Sequence, residues 1–185
     1  LAYDYMPVHL TKNEQFTESY AAVSASRLVP LLKDGDALLT QSLAIIEYLE
    51  EQYPQVPLLS SDLITRAHER AVASLIGCDI HPLHNVSVLN QLRALGQDEP
   101  QVVQWISHWI TQGLAAIEPL IGDSGYCFGP QPGLADVYLM PQLYAAERFN
   151  VVLTAYPRIL RVARLAQDHP AFIKAHPARQ PDTPG

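Results

Sequence analysis

Two residue pairs in this chain have the types and spacing to hold a small anionic peptide: Val29-Pro30 and, shortly after, Gln41-Ser42. A proline turn offers main-chain N–H and C=O groups to an extended peptide lying alongside. Gln41-Ser42 stands at the mouth of TQSLAIIEYLEE, an amphipathic helix whose first N–H groups have no intrahelical acceptor and can hold a carboxylate. The competing explanation is that Ser42 and Thr40 do no more than cap that helix. His81 and His84 flank Pro82 and raise the question of a metal. No third ligand stands at sensible spacing and no HExxH pattern occurs, so no metal is expected.

The elements that must position these residues fall into two parts. From Leu1 to Tyr53 strands and helices mix. Tyr3 to Leu10 reads as a strand, with Pro7 suited to an edge. Leu28–Leu32 and Ala37–Thr40 are short apolar runs around Lys33-Asp34-Gly35-Asp36, and the Asp-Gly step predicts a hairpin. The helix from about Gln41 to Gln52 should turn Leu43, Ile46, Leu49 and Tyr53 inward and Glu47, Glu50 and Glu51 to water. Residues 54–61, with two prolines in the surrounding YPQVPLLSS, read as a linker.

From 62 to 185 the pattern is helical throughout. Helices are expected from Ser61-Asp62 to about Asp79, broken at Pro82, then over Gln101–Ile121, Gly133–Arg148 and Tyr156–Asp168. Trp105 and Trp109 are expected in the core. Asp136, three residues past Gly133, reads as the acidic half of a helix cap. The tail from His176 reads as extended and packed on the surface.

Composition limits the function classes. The chain has 185 residues, 48% hydrophobic and 17% charged, which is a globular balance. A net charge of −7 argues against a nucleic-acid surface, so an anionic ligand needs a local positive spot. Apolar runs such as Leu43–Ile46 are far short of a membrane span, and no signal-peptide pattern opens the sequence. Cys78 and Cys127 are too few and too isolated for a disulfide framework. Each reads as a small buried apolar residue, and the cytoplasm is the expected compartment.

With these segments in view the whole chain resembles the zeta-class glutathione transferases. The resemblance rests on TQSLAIIEYLEEQYP, DIHPLHN at 79–85, YCFG at 126–129, LADVYLMPQLY at 134–144, AERF at 146–149 and, most specifically, HPARQPDTP at 176–184. It implies an α/β thioredoxin-like glutathione-binding domain over 1–53, truncated at its N-terminus, and an all-α substrate-binding domain over 62–185. The family's serine-rich segment, which activates the glutathione thiol, would lie upstream of Leu1, so no catalytic residue is identifiable here. Ser24-Ala25-Ser26-Arg27-Leu28 stands where the family has Asn-Pro before its Val-Pro turn, a second departure.

The resemblance also assigns roles. Val29, preceding a cis Pro30, would pair its main chain with the cysteinyl residue of glutathione. Gln41 and Ser42 would bind the γ-glutamyl carboxylate, and Gln15 would lie near the glycine end, with a solvated loop glutamine as the alternative. His81, Asn85, Val86 and Ser87 match positions that approach the cofactor, in part from a partner subunit, so a homodimer is expected. Arg148 would grip a substrate carboxylate through its planar fork, the competing role being closure of its own helix. The implied activity is glutathione-dependent cis–trans isomerisation of the dicarboxylate maleylacetoacetate to fumarylacetoacetate in phenylalanine and tyrosine breakdown. Thiolate addition makes the double bond single, rotation follows, and elimination restores it. Lowering the thiol pKa by about two units requires roughly 2.7 kcal/mol. The alternatives are a maleylpyruvate isomerase, a general transferase acting on haloacids, and a non-catalytic binding module. Some relatives acting on maleylpyruvate use additional arginines just after the HP-x-x-N stretch, where Val86-Ser87 stand here, which favours maleylacetoacetate.

Overall fold

A two-residue turn at Gly35-Asp36 closes the hairpin of the first unit. β1 (Leu31–Asp34) and β2 (Ala37–Thr40) pair antiparallel, with Leu31 opposite Thr40 and Asp34 opposite Ala37. Gly35 adopts φ 57°, a conformation that costs glycine least at this turn position. The computed structural model describes residues 1–183. They fall into two units: residues 1–55 with the tail from 175, and residues 56–174.

In the first unit the expected strand at 3–10 does not form. Residues 1–9 have no regular structure, and 3₁₀ turns follow at Leu10–Lys12 and Glu14–Phe16. A strand needs a neighbour for its N–H and C=O groups; among the described residues the sheet holds only β1 and β2, and Pro7 removes a donor. The four-residue α1 (Glu18–Ala21) precedes the hairpin and α2 (Ser42–Gln52) follows it. The inward stripe of α2 is shifted from expectation. Ile45 is its buried residue, whereas Leu43, Ile46 and Leu49 are half-buried, as are Glu47 and Glu50, which were expected in water. Tyr48 explains part of the shift: its hydroxyl donates to Asp34 Oδ2 at 2.8 Å, tying α2 to the hairpin. That bond is the main cause holding the Tyr48 phenol above its usual pKa. The tail forms a 3₁₀ turn at Pro177–Arg179 rather than a fully extended segment, and Asp182 accepts from the Tyr5 hydroxyl at 2.8 Å. The expectation for the tail at Pro184 and Gly185 lies outside the described residues.

The second unit is helical: α3 (Leu63–Ser74), α4 (Val86–Ala94), α5 (Glu99–Ile117), α6 (Leu134–Arg148), α7 (Pro157–Gln167) and α8 (Pro170–Ala175). Between α3 and α4 the chain passes through a π-helical run, Leu75–Ile80, and a 3₁₀ turn, His81–His84. The helical run thus reaches Ile80, close to the expected end at Asp79, but it is π- rather than α-helical after Ser74. α5 starts earlier than expected because Asp98 and Gln101 cap it reciprocally, each side chain accepting from the other's backbone N–H at 2.9 and 2.8 Å.

The core stripe of α5 is Val102, Ile106, Ile110, Leu114 and Ile117, all at most 1% exposed, packed with Ile76, Ile80, Leu139, Ile159 and Val162. Trp105 and Trp109, expected in that core, are half-buried beside it, one position off the stripe. Gly113 lets Ile80 press onto α5, since any Cβ there would overlap the Ile80 side chain. Cys127 is buried as expected, and burial pushes its thiol far up in pKa, with Asp136 adding to the effect. Cys78 is exposed, against expectation, because Ile76 and Ile80 take the inward positions of the π-helical run. Asp136 caps as foreseen: it is buried, and its carboxylate accepts from Gly133 N at 2.8 Å and Cys127 N at 2.9 Å. Glycine offers no reciprocal side chain, so half of a capping box is present.

Candidate functional site

The hairpin register decides what the first unit can do. Val29-Pro30 runs directly into β1 and Gln41-Ser42 leaves β2, while Leu31 faces Thr40. The two dipeptides therefore stand at the same open end of one hairpin. The Val29–Pro30 bond is cis. Val29 is 42% exposed, and among the described residues neither its N–H nor its C=O joins a backbone bond. The loop before it is anchored from within. Tyr20 OH donates to Leu28 O at 2.8 Å, and the buried Ser24 Oγ donates to the same carbonyl at 3.3 Å. Ser24 and Tyr20 thus hold the turn in the stretch that departs from the family pattern.

At the start of α2, Gln41 holds φ 72° and ψ 120°, a sparsely populated conformation for a residue with a side chain. No side chain caps this helix, so the plain-cap role for Thr40 or Ser42 is not seen. The first backbone bond runs from Ile45 N to Gln41 O at 3.0 Å. The N–H groups of Ser42, Leu43 and Ala44 are left without an acceptor among the described residues, at the positive end of the helix dipole. Gln15 sits half-buried in its 3₁₀ turn, with Oε1 buried and unpartnered.

In the second unit the π-helical run leads into the turn carrying His81. The His81 and His84 rings meet edge to face at 5.2 Å. Burial first, then the charge His84 would carry, hold His81 below the usual imidazole pKa, although the residue as a whole is exposed. Asn85 caps α4 by accepting from Val86 N at 2.7 Å, and Val86 and Ser87 are exposed on its first turn. Arg148 is the exposed last residue of α6, its guanidinium 5.6 Å over the Phe149 ring. Phe149 in turn lies 6.2 Å from the His84 ring, so a chain of rings connects Arg148 to the His81 turn.

Gln142, and the bond made by Trp105, were not foreseen. His84 is 7% exposed and bonds the 2%-exposed Gln142 at 3.2 Å. Trp105 Nε1 donates to Leu83 O at 2.7 Å. Nothing in the sequence singles out Gln142; the two tryptophans at helical spacing signalled packing but not this bond.

A family profile, "Glutathione S-transferase, N-terminal domain", matches residues 1–57. The maleylacetoacetate isomerase of Pseudomonas aeruginosa is 64% identical over 187 residues, covering 100% of this chain and 88% of that protein. A solved holo maleyl pyruvate isomerase, described as a bacterial zeta-class glutathione S-transferase, is 44% identical with a TM-score of 0.96, covering 100% of this chain and 89% of that one. The chain belongs to the zeta-class glutathione S-transferases. This zeta-class transferase has the fold the resemblance implied, a thioredoxin-like first unit with a small sheet followed by a helical unit. A solved maleylacetoacetate isomerase from Anaeromyxobacter dehalogenans, 40% identical with a TM-score of 0.88 over 100% of this chain and 83% of that one, holds dicarboxyethyl glutathione and citrate in its active site.

Proposed function

We propose that this transferase isomerises maleylacetoacetate to fumarylacetoacetate with glutathione as a recycled cofactor. The observation that carries this is the open end of the hairpin, where an unpaired Val29 main chain stands beside three free N–H groups of α2. That combination fits a short peptide with a carboxylate at one end: strand-like pairing for its middle, a helix terminus for the anion. The Ser42 hydroxyl and Gln41 amide add polar contacts to that carboxylate, and the orphaned Gln15 Oε1 suits a donor near the glycine end. Glutathione, when bound, supplies the thiolate whose reversible addition frees the conjugated double bond to rotate. No residue of this chain is assigned to activating that thiol.

Arg148 takes a substrate carboxylate. Its exposed fork, with the Phe149 ring beneath it, is a local positive spot in a chain of net charge −7. By the resemblance, His81, Asn85, Val86 and Ser87, in the turn before α4 and on its first turn, serve cofactor binding, in part from a partner subunit. Val86, 61% exposed and uncharged, offers no second cation beside the cofactor residues of this turn, which by the resemblance favours maleylacetoacetate over maleylpyruvate.

The same proposal takes the working form as a cytoplasmic homodimer. Among the described residues no helix is long and apolar enough to cross a membrane. The test is turnover by protein expressed from its whole coding sequence, with maleylacetoacetate, maleylpyruvate and a haloacid offered separately, with and without glutathione. Glutathione-dependent conversion of maleylacetoacetate at the highest kcat/KM is expected. No conversion of it, or equal conversion without glutathione, refutes the proposal, and a monomer by sedimentation at micromolar concentration refutes the dimer.

A further inference from the structure

The helical unit buries few polar side chains: Glu69, His84, Asp136 and Gln142 among the described residues. Glu69 and Asp136 hold backbone N–H groups of loops, Glu69 accepting from Ser60 N at 2.8 Å. His84 and Gln142 instead bond each other across 58 residues of sequence, joining the turn before α4 to the middle of α6. The pair is incompletely satisfied, because Gln142 Nε2 is buried without a partner. Two apolar side chains of similar shape would serve stability about as well. What they would not supply is direction, since apolar contact is non-directional and a hydrogen bond fixes angle as well as distance.

The turn so held bears much of the proposed site. His84 is bonded to α6, and the preceding Leu83 carbonyl is bonded to Trp105 of α5 at 2.7 Å. Successive residues are thus fastened to two different helices. The chain enters this turn through the π-helical run Leu75–Ile80, a geometry found often beside functional sites. It leaves through Asn85, Val86 and Ser87. On the other side of His84 lies Phe149, and over Phe149 the Arg148 guanidinium.

We infer that the His84–Gln142 pair is a positioning device, setting the turn that bears His81, Asn85, Val86 and Ser87 relative to the end of α6 that bears Arg148. The inference rests on the isomerase proposal for what those residues hold. Both members are buried, and neither is assigned a contact with substrate. Each acts by keeping two groups of binding residues in the geometry the reaction needs, where small displacements lower rate more than affinity.

The test compares His84→Leu, Gln142→Met, the double variant and His84→Gln, each assayed well below its own melting temperature. Each single variant should lose about tenfold in kcat, equivalent to about 1.4 kcal/mol, with KM for glutathione and for maleylacetoacetate within about threefold. The double variant should lose no more than either single, because the pair acts as a unit. His84→Gln, which keeps an amide for Gln142, should recover to within about threefold of the parent. A merely structural pair would lower the melting temperature and leave kcat intact. Parent-like kcat in His84→Leu or Gln142→Met, no recovery in His84→Gln, or losses that multiply in the double overturns the inference. If His84→Leu does not fold, the nearly isosteric Gln142→Met carries the comparison. A parent protein inactive toward maleylacetoacetate would refute the isomerase proposal separately. The pair is then judged from the crystal structure of Gln142→Met, where His81 and Arg148 unmoved within about 0.5 Å overturns the positioning role and a larger displacement supports it.

Discussion

Replacing Gln41 by glycine should make the protein more stable and a poorer binder of glutathione. Gln41 holds φ 72° and ψ 120°, a region that costs a residue with a Cβ about 1–3 kcal/mol. Glycine removes that cost, but its freer unfolded chain returns about 0.5–1 kcal/mol of it. The net gain is about 1 kcal/mol, and at about 2–4 °C per kcal/mol for a chain of this size the melting temperature should rise by about 3 °C. The same change deletes the amide proposed to contact the γ-glutamyl carboxylate. A hydrogen bond to a charged group contributes about 1.5–3 kcal/mol, so the dissociation constant for glutathione should rise roughly 10- to 100-fold. Thermal unfolding without ligand and calorimetric titration with glutathione read the two effects independently. A lower melting temperature would show that the Gln41 conformation carries no strain. A dissociation constant within twofold of the parent's would show that its side chain holds no ligand.

Arg148→Lys replaces a fork by a point charge; kcat/KM for maleylacetoacetate should fall about tenfold or more with glutathione affinity unchanged, and parent-like kcat/KM would remove Arg148 from the substrate site. Asp136→Ala strips the acceptor from Gly133 N and Cys127 N and should cost about 3–5 kcal/mol in urea unfolding; a loss under about 1 kcal/mol would mean that other groups satisfy those donors. His81 is held below its unfolded pKa by burial and then by His84, so the unfolded chain takes up protons first as pH falls. The resulting stability is complete above the unfolded imidazole value of about 6.5 and is lost as pH drops through the lower folded value. Urea midpoints at pH 7.5 and 5.5 should differ more in the parent than in His81→Gln, and equal differences would contradict the assigned cause.

The hairpin, α2 and the helical second unit were legible because each rests on a local signal: Asp34-Gly35 for the turn, a 3.6-residue apolar period for the helices. What escaped depends on contacts distant in sequence. The run 3–10 has strand-like alternation, but the described sheet gives it no neighbour, and pairing, not propensity, makes a strand. Trp105 and Trp109 have the spacing of a core face, yet Ile106 and Ile110 one position away take the buried stripe, since an amphipathic pattern with apolar residues on adjacent positions does not fix the rotation of the helix. The π-helical run and the His84–Gln142 bond have no local signature. At the candidate site the dipeptides and the hairpin between them were visible in the sequence, but the pairing of Leu31 with Thr40 that fixes their register was not.

How the longer helices begin gives the strongest reason to look for an external anion at α2. Asp62 accepts from Thr65 N at α3, Asn85 from Val86 N at α4, and Asp98 from Gln101 N at α5. Leu58 O takes Leu134 N at α6, and the Glu118 carboxylate takes both Arg158 N and Ile159 N at α7. In each the chain supplies an acceptor for at least one of the N–H groups a helix start leaves free. At α2, among the described residues, it supplies none: Gln41 turns into a strained conformation and its side chain caps nothing. A sequence that caps five such helices internally, and leaves open the one beside an unpaired Val29, has put its free donors where a peptide carboxylate can complete them.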